Sequence, residues 1–238
     1  MKFYKKHSLF NDFQHIIDLI FPQYCSVCTQ RLSGTEKHIC TSCLYTLPTV
    51  KNTSFTDNLF VRTFWGLLPI ERGTALFFYQ KNSDYRNILF DLKYHKCPEI
   101  GVFMGRIMAN RLLPLGFFDG IDIIVPVPLA RQRQKERGYN QSEEIAKGIS
   151  EISHLPIESK AIVRIVHNTT QTRLQRIERQ TNVEGIFKLN TPERLQGKHI
   201  LLLDDVMTTG ATLLACGKAI ASLPGTSISI LTLAWTKT

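Results

Sequence analysis

An apolar segment that runs into two carboxylates and a hydroxyl-rich turn is the feature that most constrains this chain. It reads Ile200-Leu-Leu-Leu-Asp204-Asp205-Val-Met-Thr208-Thr209-Gly210-Ala211-Thr212. The apolar run predicts a buried strand, and the segment after Gly210 predicts a helix. Such a turn aims backbone N–H groups and threonine hydroxyls at a phosphate, at the positive end of the helix dipole. The stretch therefore predicts an α/β fold with a phosphate-binding turn.

The two carboxylates in this stretch favour a sugar ligand. Asp204 and Asp205 at the end of a strand can accept hydrogen bonds from a vicinal diol, such as the 2′- and 3′-hydroxyls of ribose. An apolar strand that ends in two acids also resembles the Mg-holding strand of P-loop ATPases. That interpretation requires GxxxxGK[ST], which does not occur, since Gly197-Lys198 is followed by His199. An ordinary strand–turn–helix with incidental acids is the remaining alternative.

Apolar runs alternate with amphipathic segments from about Val61 onward. The predicted strands are Val61–Ile70, Ala75–Tyr79, Ile121–Val127, Ile162–Val166, His199–Leu203 and Ser227–Ala234. The predicted helices are Asp84–His95, Glu99–Leu113, Tyr139–Ile152 and Ala211–Leu223. Strands that alternate with helices indicate βαβ units and a largely parallel sheet.

Four of the six cysteines lie within nineteen residues, as Cys25-x2-Cys28 and Cys40-x2-Cys43. A two-residue gap lets both thiolates of a pair turn toward one ion, and two pairs complete a tetrahedral site. Because all four ligands are cysteines, we predict a structural zinc site, with unligated or redox-active cysteines as the alternative. A unit this small has little core of its own, so the metal would supply much of its folding energy.

The predicted organisation is a small N-terminal module, residues 1–50, followed by one α/β domain, residues 51–238. Residues 1–22 predict an amphipathic helix, because Phe13, Ile16, Ile17 and Ile20 fall on one face. A signal peptide is the alternative for this basic and then apolar segment. Charged and polar residues interrupt its apolar part, and no small-residue cleavage site follows, so the helix is favoured. Since no apolar stretch has the length of a membrane span, the cytoplasm is the predicted compartment.

The formal net charge of +9 favours a polyanionic partner, such as nucleic acid or free phosphates. Two basic runs contribute to it, one in the loop predicted after the strand Ile121–Val127 and one in the polar segment His167–Asn182. Their members are Arg131, Arg133, Lys135 and Arg137, and then Arg173, Arg176 and Arg179. Each run alone could be a solvated face, but two runs that flank a phosphate turn favour anion binding.

These residues together resemble the ComF family of phosphoribosyltransferase-like competence proteins, over nearly the whole chain. LLLDDVMTTGAT resembles the type I phosphoribosyltransferase signature, and VPVPLARQRQKERGYNQSEEIA resembles the family's PVPL…RGFNQ region, with Tyr139 in place of Phe. QTRLQRIERQTNVEGIF resembles its Q…L…R…NVxGaF loop, and FFYQKNSDYRNILFDLKYHK the stretch before the core. The CxxC pairs match its zinc module, with Thr29 standing where glycine is common.

The resemblance implies a type I phosphoribosyltransferase fold, a mostly parallel twisted sheet flanked by helices, behind a four-cysteine zinc module. It implies binding of 5-phosphoribosyl 1-diphosphate with Mg²⁺, in which Asp204 and Asp205 hold the ribose hydroxyls and are the catalytic candidates. The diphosphate would face Arg137 and Gly138, under a closing loop at His167–Asn182. The 5-phosphate would lie at Thr208, Thr209, Gly210, Ala211 and Thr212.

Two classes of function stay open. In the enzyme class, the protein transfers a phosphoribosyl group to an acceptor that the sequence does not identify. In the binding class, the same site senses its ligand or grips nucleic acid, with Tyr94 and Tyr139 as stacking surfaces or, more favoured, core residues. The resemblance implies a role in DNA uptake, with single-stranded DNA and the DNA-uptake helicase of competence systems as partners. The DNA would lie along Arg131, Arg133, Lys135, Arg173, Arg176 and Arg179.

Overall fold

The computed structural model describes residues 22–51, 53–165 and 186–236. The predicted N-terminal helix, apart from its last residue, and the segment His167–Asn182 with its three arginines lie outside the described residues. The helices are α1 (Thr41–Tyr45), α2 (Leu59–Arg62), α3 (Arg86–Tyr94), α4 (Pro98–Leu112), α5 (Arg131–Arg137), α6 (Gln141–Ser153) and α7 (Ala211–Ala221). The strands are β1 (Arg72–Phe78), β2 (Ile123–Pro126), β3 (Ile162–Arg164), β4 (Phe187–Leu189), β5 (His199–Met207) and β6 (Ser227–Trp235).

A parallel sheet of four strands forms the centre of the fold, in the order β1-β6-β5-β2. Each neighbouring pair is parallel, so the carboxyl ends of all four strands meet at one edge. The other two strands, β3 and β4, form a separate antiparallel ribbon. This arrangement confirms the predicted α/β class with a mostly parallel sheet flanked by helices.

Alternating side chains of the sheet bury two separate apolar clusters. Leu201 and Leu203 of β5 join α3, α4 and α6 in one cluster. Ile200 and Leu202 face the opposite side, where α2, α7 and the β3–β4 ribbon pack. Because neighbouring residues of a strand point to opposite faces, a continuous apolar run is what a strand covered on both sides requires.

Two glycines allow α4 and α6 to cross at very short range. A Cβ on Gly105 would lie 2.2 Å from the carbonyl oxygen of Ile145, and one on Gly148 would lie 2.0 Å from that of Val102. Since both obstacles are backbone atoms, no side-chain rotation could make room. The crossing fixes α6, whose first turn reaches the edge of the sheet where the carboxyl ends meet.

Three sequence-based predictions need correction. The segment Val61–Ile70 is not a strand, because Asn58 accepts a hydrogen bond from the N–H of Val61 and begins α2. Phe60, Phe64 and Leu68 then bury one face at a spacing of four, which is helical rather than extended. The basic run after β2 is the helix α5 and not a loop. The strand β5 extends through both aspartates to Met207, so the acidic pair lies within it.

Within the described part of the chain, none of the helices combines the length and the apolar character that crossing a membrane requires.

Candidate functional site

The acidic pair lies near the carboxyl end of β5, beside the first turn of α6. The carboxylate of Asp204 accepts hydrogen bonds from the hydroxyl of Ser142 at 3.0 Å and from the N–H of Asp205 at 2.9 Å. Asn140 positions Ser142, because its side-chain oxygen caps α6 and its amide nitrogen donates to the carbonyl of Val127. The segment after β2 and the end of β5 therefore build one site.

The two carboxylates have different surroundings. Asp205 forms an ion pair with Lys93, whose Nζ lies 3.0 Å from its Oδ2. Removal from water raises the pKa of Asp204 to about 7, and repulsion from Asp205 adds to the rise against the opposing hydrogen bonds. Near neutral pH the pair therefore carries less than two full negative charges.

The turn Thr208–Gly210 leads from β5 into α7, the order of elements that the sequence predicts. Thr208, Thr209 and Thr212 are exposed, so their hydroxyls are open to solvent. Gly210 has φ +77°, in the left-handed region that favours glycine, whereas the contacts a Cβ would make there are ordinary. Its conformation, rather than crowding, accounts for glycine at this position. Ala211, the first residue of α7, donates its N–H to the hydroxyl of Thr209 at 3.4 Å.

A cavity of about 390 Å³ lies between the end of α3 and α5. Among the residues that the structure describes, four cations and a single carboxylate line it, together with Tyr94: Lys93, Lys96, Arg133, Arg137 and Glu136. Lys93 belongs both to this cavity and to the ion pair with Asp205, so the cavity adjoins the acidic pair.

The helix α5 presents its cations on two faces. Arg133 and Arg137 are four residues apart, on the face that lines the cavity. Arg131 and Lys135, also four residues apart, are exposed and are not among the residues that line it. Gly138 ends the helix with φ +85°. The structure thus brings part of the predicted basic set to the acidic pair and leaves the other part on the outer surface.

Two aromatic side chains are exposed beside this cavity. Phe90 and Tyr94 are 50% and 61% exposed, and their ring centroids lie 4.9 Å apart. The guanidinium of Arg137 lies 5.5 Å from the ring centroid of Tyr94. Tyr139 is half-buried against the core and donates its hydroxyl to the carbonyl of Leu92. Of the two tyrosines, Tyr94 therefore offers an open face, and Tyr139 is a core residue.

The four cysteines of the two CxxC pairs come together as predicted. The sulfur atoms of Cys25, Cys28, Cys40 and Cys43 all lie within 4.8 Å of one another. The backbone N–H groups of Val27 and Cys40 point at the sulfur of Cys25, at 3.4 and 3.3 Å. Such N–H groups stabilise thiolates, so the donor set fits a single metal ion with four sulfur ligands.

The electrostatics of this cluster agree with a cation at its centre. Burial opposes ionisation of Cys25, but the N–H groups of Cys28, Cys40 and Val27 outweigh it and lower its pKa to about 7. Burial and the neighbouring sulfurs raise the pKa of Cys43. The thiols therefore oppose one another's ionisation, and a metal ion would remove that opposition.

The cysteine module packs directly onto the α/β fold. The hydroxyl of Tyr85, just before α3, donates to the carbonyl of Cys43 at 2.9 Å. Arg111 of α4 donates to the carbonyl of Leu44 at 3.2 Å. The buried cysteines belong to the same apolar cluster as α4 and α6.

Sequence reasoning missed three members of the site: Lys93, Lys96 and Ser142. The first two stand in the basic stretch FDLKYHK, and Ser142 stands in GYNQSEE. Both stretches were noted for their resemblance, but no spacing in the chain indicates that Lys93 meets Asp205.

Residues 97–237 match the family of the phosphoribosyl transferase domain, and the chain belongs to this family. DNA utilization protein YhgH of Escherichia coli K12 is 33% identical over 128 residues, 52% of this chain and 56% of that protein. Competence protein F of Haemophilus influenzae is 33% identical over 103 residues, 43% of this chain and 45% of that protein. Competence protein ComFC of Bacillus subtilis is 39% identical over 93 residues, 38% of this chain and 35% of that protein.

These relatives confirm the resemblance to the ComF family. The chain spans about half the length, or less, of the curated relatives that it matches.

Proposed function

We propose that this protein binds 5-phosphoribosyl 1-diphosphate together with Mg²⁺ at the carboxyl edge of its sheet. The observation that carries the proposal is the acidic pair on β5, set between a solvent-open threonine turn and a cationic cavity. A ribose with a phosphate at one end and a diphosphate at the other has the charge pattern of these three features. Crevices at this edge of parallel sheets are also where α/β proteins bind their ligands.

Each feature would contact one part of that ligand. Asp204 and Asp205 would accept hydrogen bonds from the ribose hydroxyls, and the turn Thr208–Thr212 would hold the 5-phosphate. Arg137 and Gly138 would face the diphosphate. Carboxylate oxygens are ligands that suit Mg²⁺, which would neutralise the diphosphate and polarise the bond at C1.

Binding can be tested by calorimetry with 5-phosphoribosyl 1-diphosphate and Mg²⁺. The double variant Asp204→Asn, Asp205→Asn keeps the side-chain size and removes both charges, so we expect binding to be lost. Asp84→Asn, an exposed aspartate before α3, is the matched control and should bind as the wild type does. Equal affinity in the double variant and the wild type would refute the proposal.

Binding and catalysis are separate claims. In the enzyme class, loss of diphosphate from the bound ligand would be followed by attack of an acceptor on C1. In the binding class, the ligand is bound or sensed without transfer. Release of diphosphate, measured across candidate acceptors, distinguishes the two, because a sensing protein releases none above the rate in buffer.

We propose a role in DNA uptake, and this proposal rests on the names of the relatives. Two of them, Competence protein F and Competence protein ComFC, are named for competence, and DNA utilization protein YhgH is named for the use of DNA. The DNA-uptake helicase remains a partner that the family resemblance predicts. A reducing compartment such as the cytoplasm would keep the cysteines available for a metal.

Single-stranded DNA is a second candidate ligand, and the exposed pair Phe90 and Tyr94 beside α5 favours it. Aromatic faces stack on bases, while cations follow the phosphates without reading sequence. Reversal of Arg131, Arg133 and Lys135 to glutamate should weaken binding and flatten its salt dependence. The expected loss in the logarithmic slope is about 0.7 for each phosphate contact removed. An unchanged affinity and slope would mean that α5 is only a solvated face.

For the four cysteines we propose a structural zinc ion. Four sulfur donors within 4.8 Å fill a tetrahedral shell, so no ligand position is left for water. Arg173, Arg176 and Arg179 lie outside the described residues, and their proposed contact with anions rests on the sequence alone.

A further inference from the structure

Lys93 lies in the stretch before the core, for which the family resemblance implies no role. Its ammonium pairs with Asp205 at 3.0 Å, and the two side chains are only 18% and 12% exposed. Lysine is rarely buried unless it is paired, and a buried pair has lost much of its hydration. An ion pair so placed covers one of the carboxylates that the proposed function assigns to the ribose.

The same lysine lines the cationic cavity between α3 and α5. Lys96, Arg133 and Arg137 also line it. In the described part of the chain they face one carboxylate there, that of Glu136, which accepts a hydrogen bond from Gln132. The surplus of positive charge makes the cavity suited to a multiply charged anion. Its position next to Asp205 suits the diphosphate end of the ligand better than a nucleic-acid strand, which would follow the exposed face of α5.

We infer that Lys93 exchanges partners when the ligand binds. Its ammonium releases Asp205 and pairs instead with the diphosphate in the adjoining cavity. No covalent bond forms or breaks in this exchange. The ammonium sits on a flexible four-carbon stem, so it can turn from one anion to the other without movement of α3. Asp205 then becomes available to the ribose hydroxyls, and neither the lysine nor the carboxylate is left without a partner.

The exchange makes Lys93 a residue that determines specificity. Ribose 5-phosphate has the hydroxyls but no diphosphate, so it would separate Lys93 from Asp205 and offer the ammonium nothing in return. An uncompensated charge at a half-closed site is costly. The protein would therefore favour 5-phosphoribosyl 1-diphosphate over ribose 5-phosphate by more than the direct contacts of the diphosphate provide.

This inference rests on the proposed function, and calorimetry with three probes tests both separately. The probes are 5-phosphoribosyl 1-diphosphate, ribose 5-phosphate and inorganic diphosphate, each with Mg²⁺. In Lys93→Met, we expect affinity for the two diphosphate compounds to fall about ten- to a hundredfold, as for loss of one charged hydrogen bond. Affinity for ribose 5-phosphate should stay the same or rise, because no ion pair has to be broken.

Two further variants complete the test. Lys81→Met removes an exposed lysine from the turn before α3 and should match the wild type for all three probes. Lys93→Arg keeps the charge and should retain most of the preference for 5-phosphoribosyl 1-diphosphate over ribose 5-phosphate. This variant also keeps the test valid if Lys93→Met has a lowered melting temperature. If the wild type binds the diphosphate ligand and Lys93→Met and Lys93→Arg both keep its ratio of affinities, the exchange is refuted. If the wild type binds none of the probes, the proposed function itself fails.

Discussion

At the scale of single residues, the acidic pair owes its properties to unequal partners. Asp205 is paired with the ammonium of Lys93, whereas Asp204 receives hydrogen bonds from the Ser142 hydroxyl and a backbone N–H. Removal from water, with repulsion from Asp205 as the second cause, raises the pKa of Asp204 from 3.8 to about 7. Asp204 therefore titrates near neutral pH.

The stability of the protein should record this titration. Between pH 3.8 and about 7, folded Asp204 holds a proton that the unfolded chain has lost, so its contribution to stability falls as the pH rises. Asp204→Asn cannot ionise. The free energy of unfolding of this variant, relative to the wild type, should therefore grow across this window and level off above it. Urea unfolding at a series of pH values measures the difference; a difference independent of pH would contradict the assignment.

Thr29 offers a second test at this scale. It follows the first CxxC pair with φ +60°, a conformation in which a β-branched side chain is strained, at a position where the family commonly has glycine. Relief of this strain, less the entropy that glycine loses on folding, should make Thr29→Gly more stable by about 1 kcal/mol. Thr56→Gly, at an exposed threonine that is not among the positive-φ residues, should be neutral or destabilising. Thermal melting of both variants checks the difference in sign.

At the scale of elements, the crossing of α4 over α6 holds the site in place. The first turn of α6 carries Ser142, which contacts Asp204, and α4 follows α3, which carries Lys93. The helices approach closely because Gly105 and Gly148 leave no side chain between them. The positions of Ser142 and Lys93, the partners of the acidic pair, thus depend on two glycines that lie outside the proposed binding site.

Gly148→Ala should destabilise the protein. Alanine is the better helix former by about 1 kcal/mol, but its Cβ would lie 2.0 Å from a carbonyl oxygen, and the backbone would have to separate. Overpacking of this kind costs about 1–3 kcal/mol or more, so we expect a net loss of about 2 kcal/mol. Asn110→Ala, at an exposed position of α4, should change stability by less than about 0.5 kcal/mol. If urea unfolding finds Gly148→Ala as stable as the wild type, the two helices can move apart to admit the Cβ at no cost in free energy.

At the scale of the whole molecule, the cysteine module and the α/β fold share one buried cluster. Cys25, Cys40 and Cys43 pack in the same cluster as α4 and α6. Tyr85 links the carbonyl of Cys43 to the start of α3, and α3 ends beside the cationic cavity. The division into residues 1–50 and 51–238 remains a prediction about the chain, but the two parts are joined by packing.

Loss of the proposed zinc should therefore lower the melting temperature of the entire protein. Cys25→Ser removes one of four ligands, and we expect the zinc content to fall from about one per chain to near zero. A loss of a few kcal/mol corresponds to a shift of about 5–10 °C for a domain of this size. Cys97→Ser, a cysteine outside the cluster, is the control. Calorimetry that shows the main transition unmoved after complete zinc loss would mean that the parts unfold independently.

The sequence alone was sufficient for the features that depend on neighbours in the chain. The apolar run into Asp204 and Asp205, the glycine turn at Gly210 and the two CxxC pairs are local patterns with local physical causes. Alternation of strands and helices likewise predicted the sheet, because side-chain period is a property of a short segment. The segment Val61–Ile70 was one exception, since its apolar residues also fit the helical spacing of Phe60, Phe64 and Leu68. The basic run that forms α5 was another, because it has no apolar period to read.

Only the tertiary structure decided which distant residues meet. Lys93 and Asp205 are separated by more than a hundred residues, and Ser142 reaches Asp204 from a different helix. Nor could the sequence tell which cations of α5 turn toward the cavity, because that depends on how the helix docks. Contacts of this kind follow from the packing of elements on the sheet, where the crossing glycines Gly105 and Gly148 set the distances. Such packing depends on many residues that are distant in sequence, so no short segment of the chain contains a pattern that predicts it.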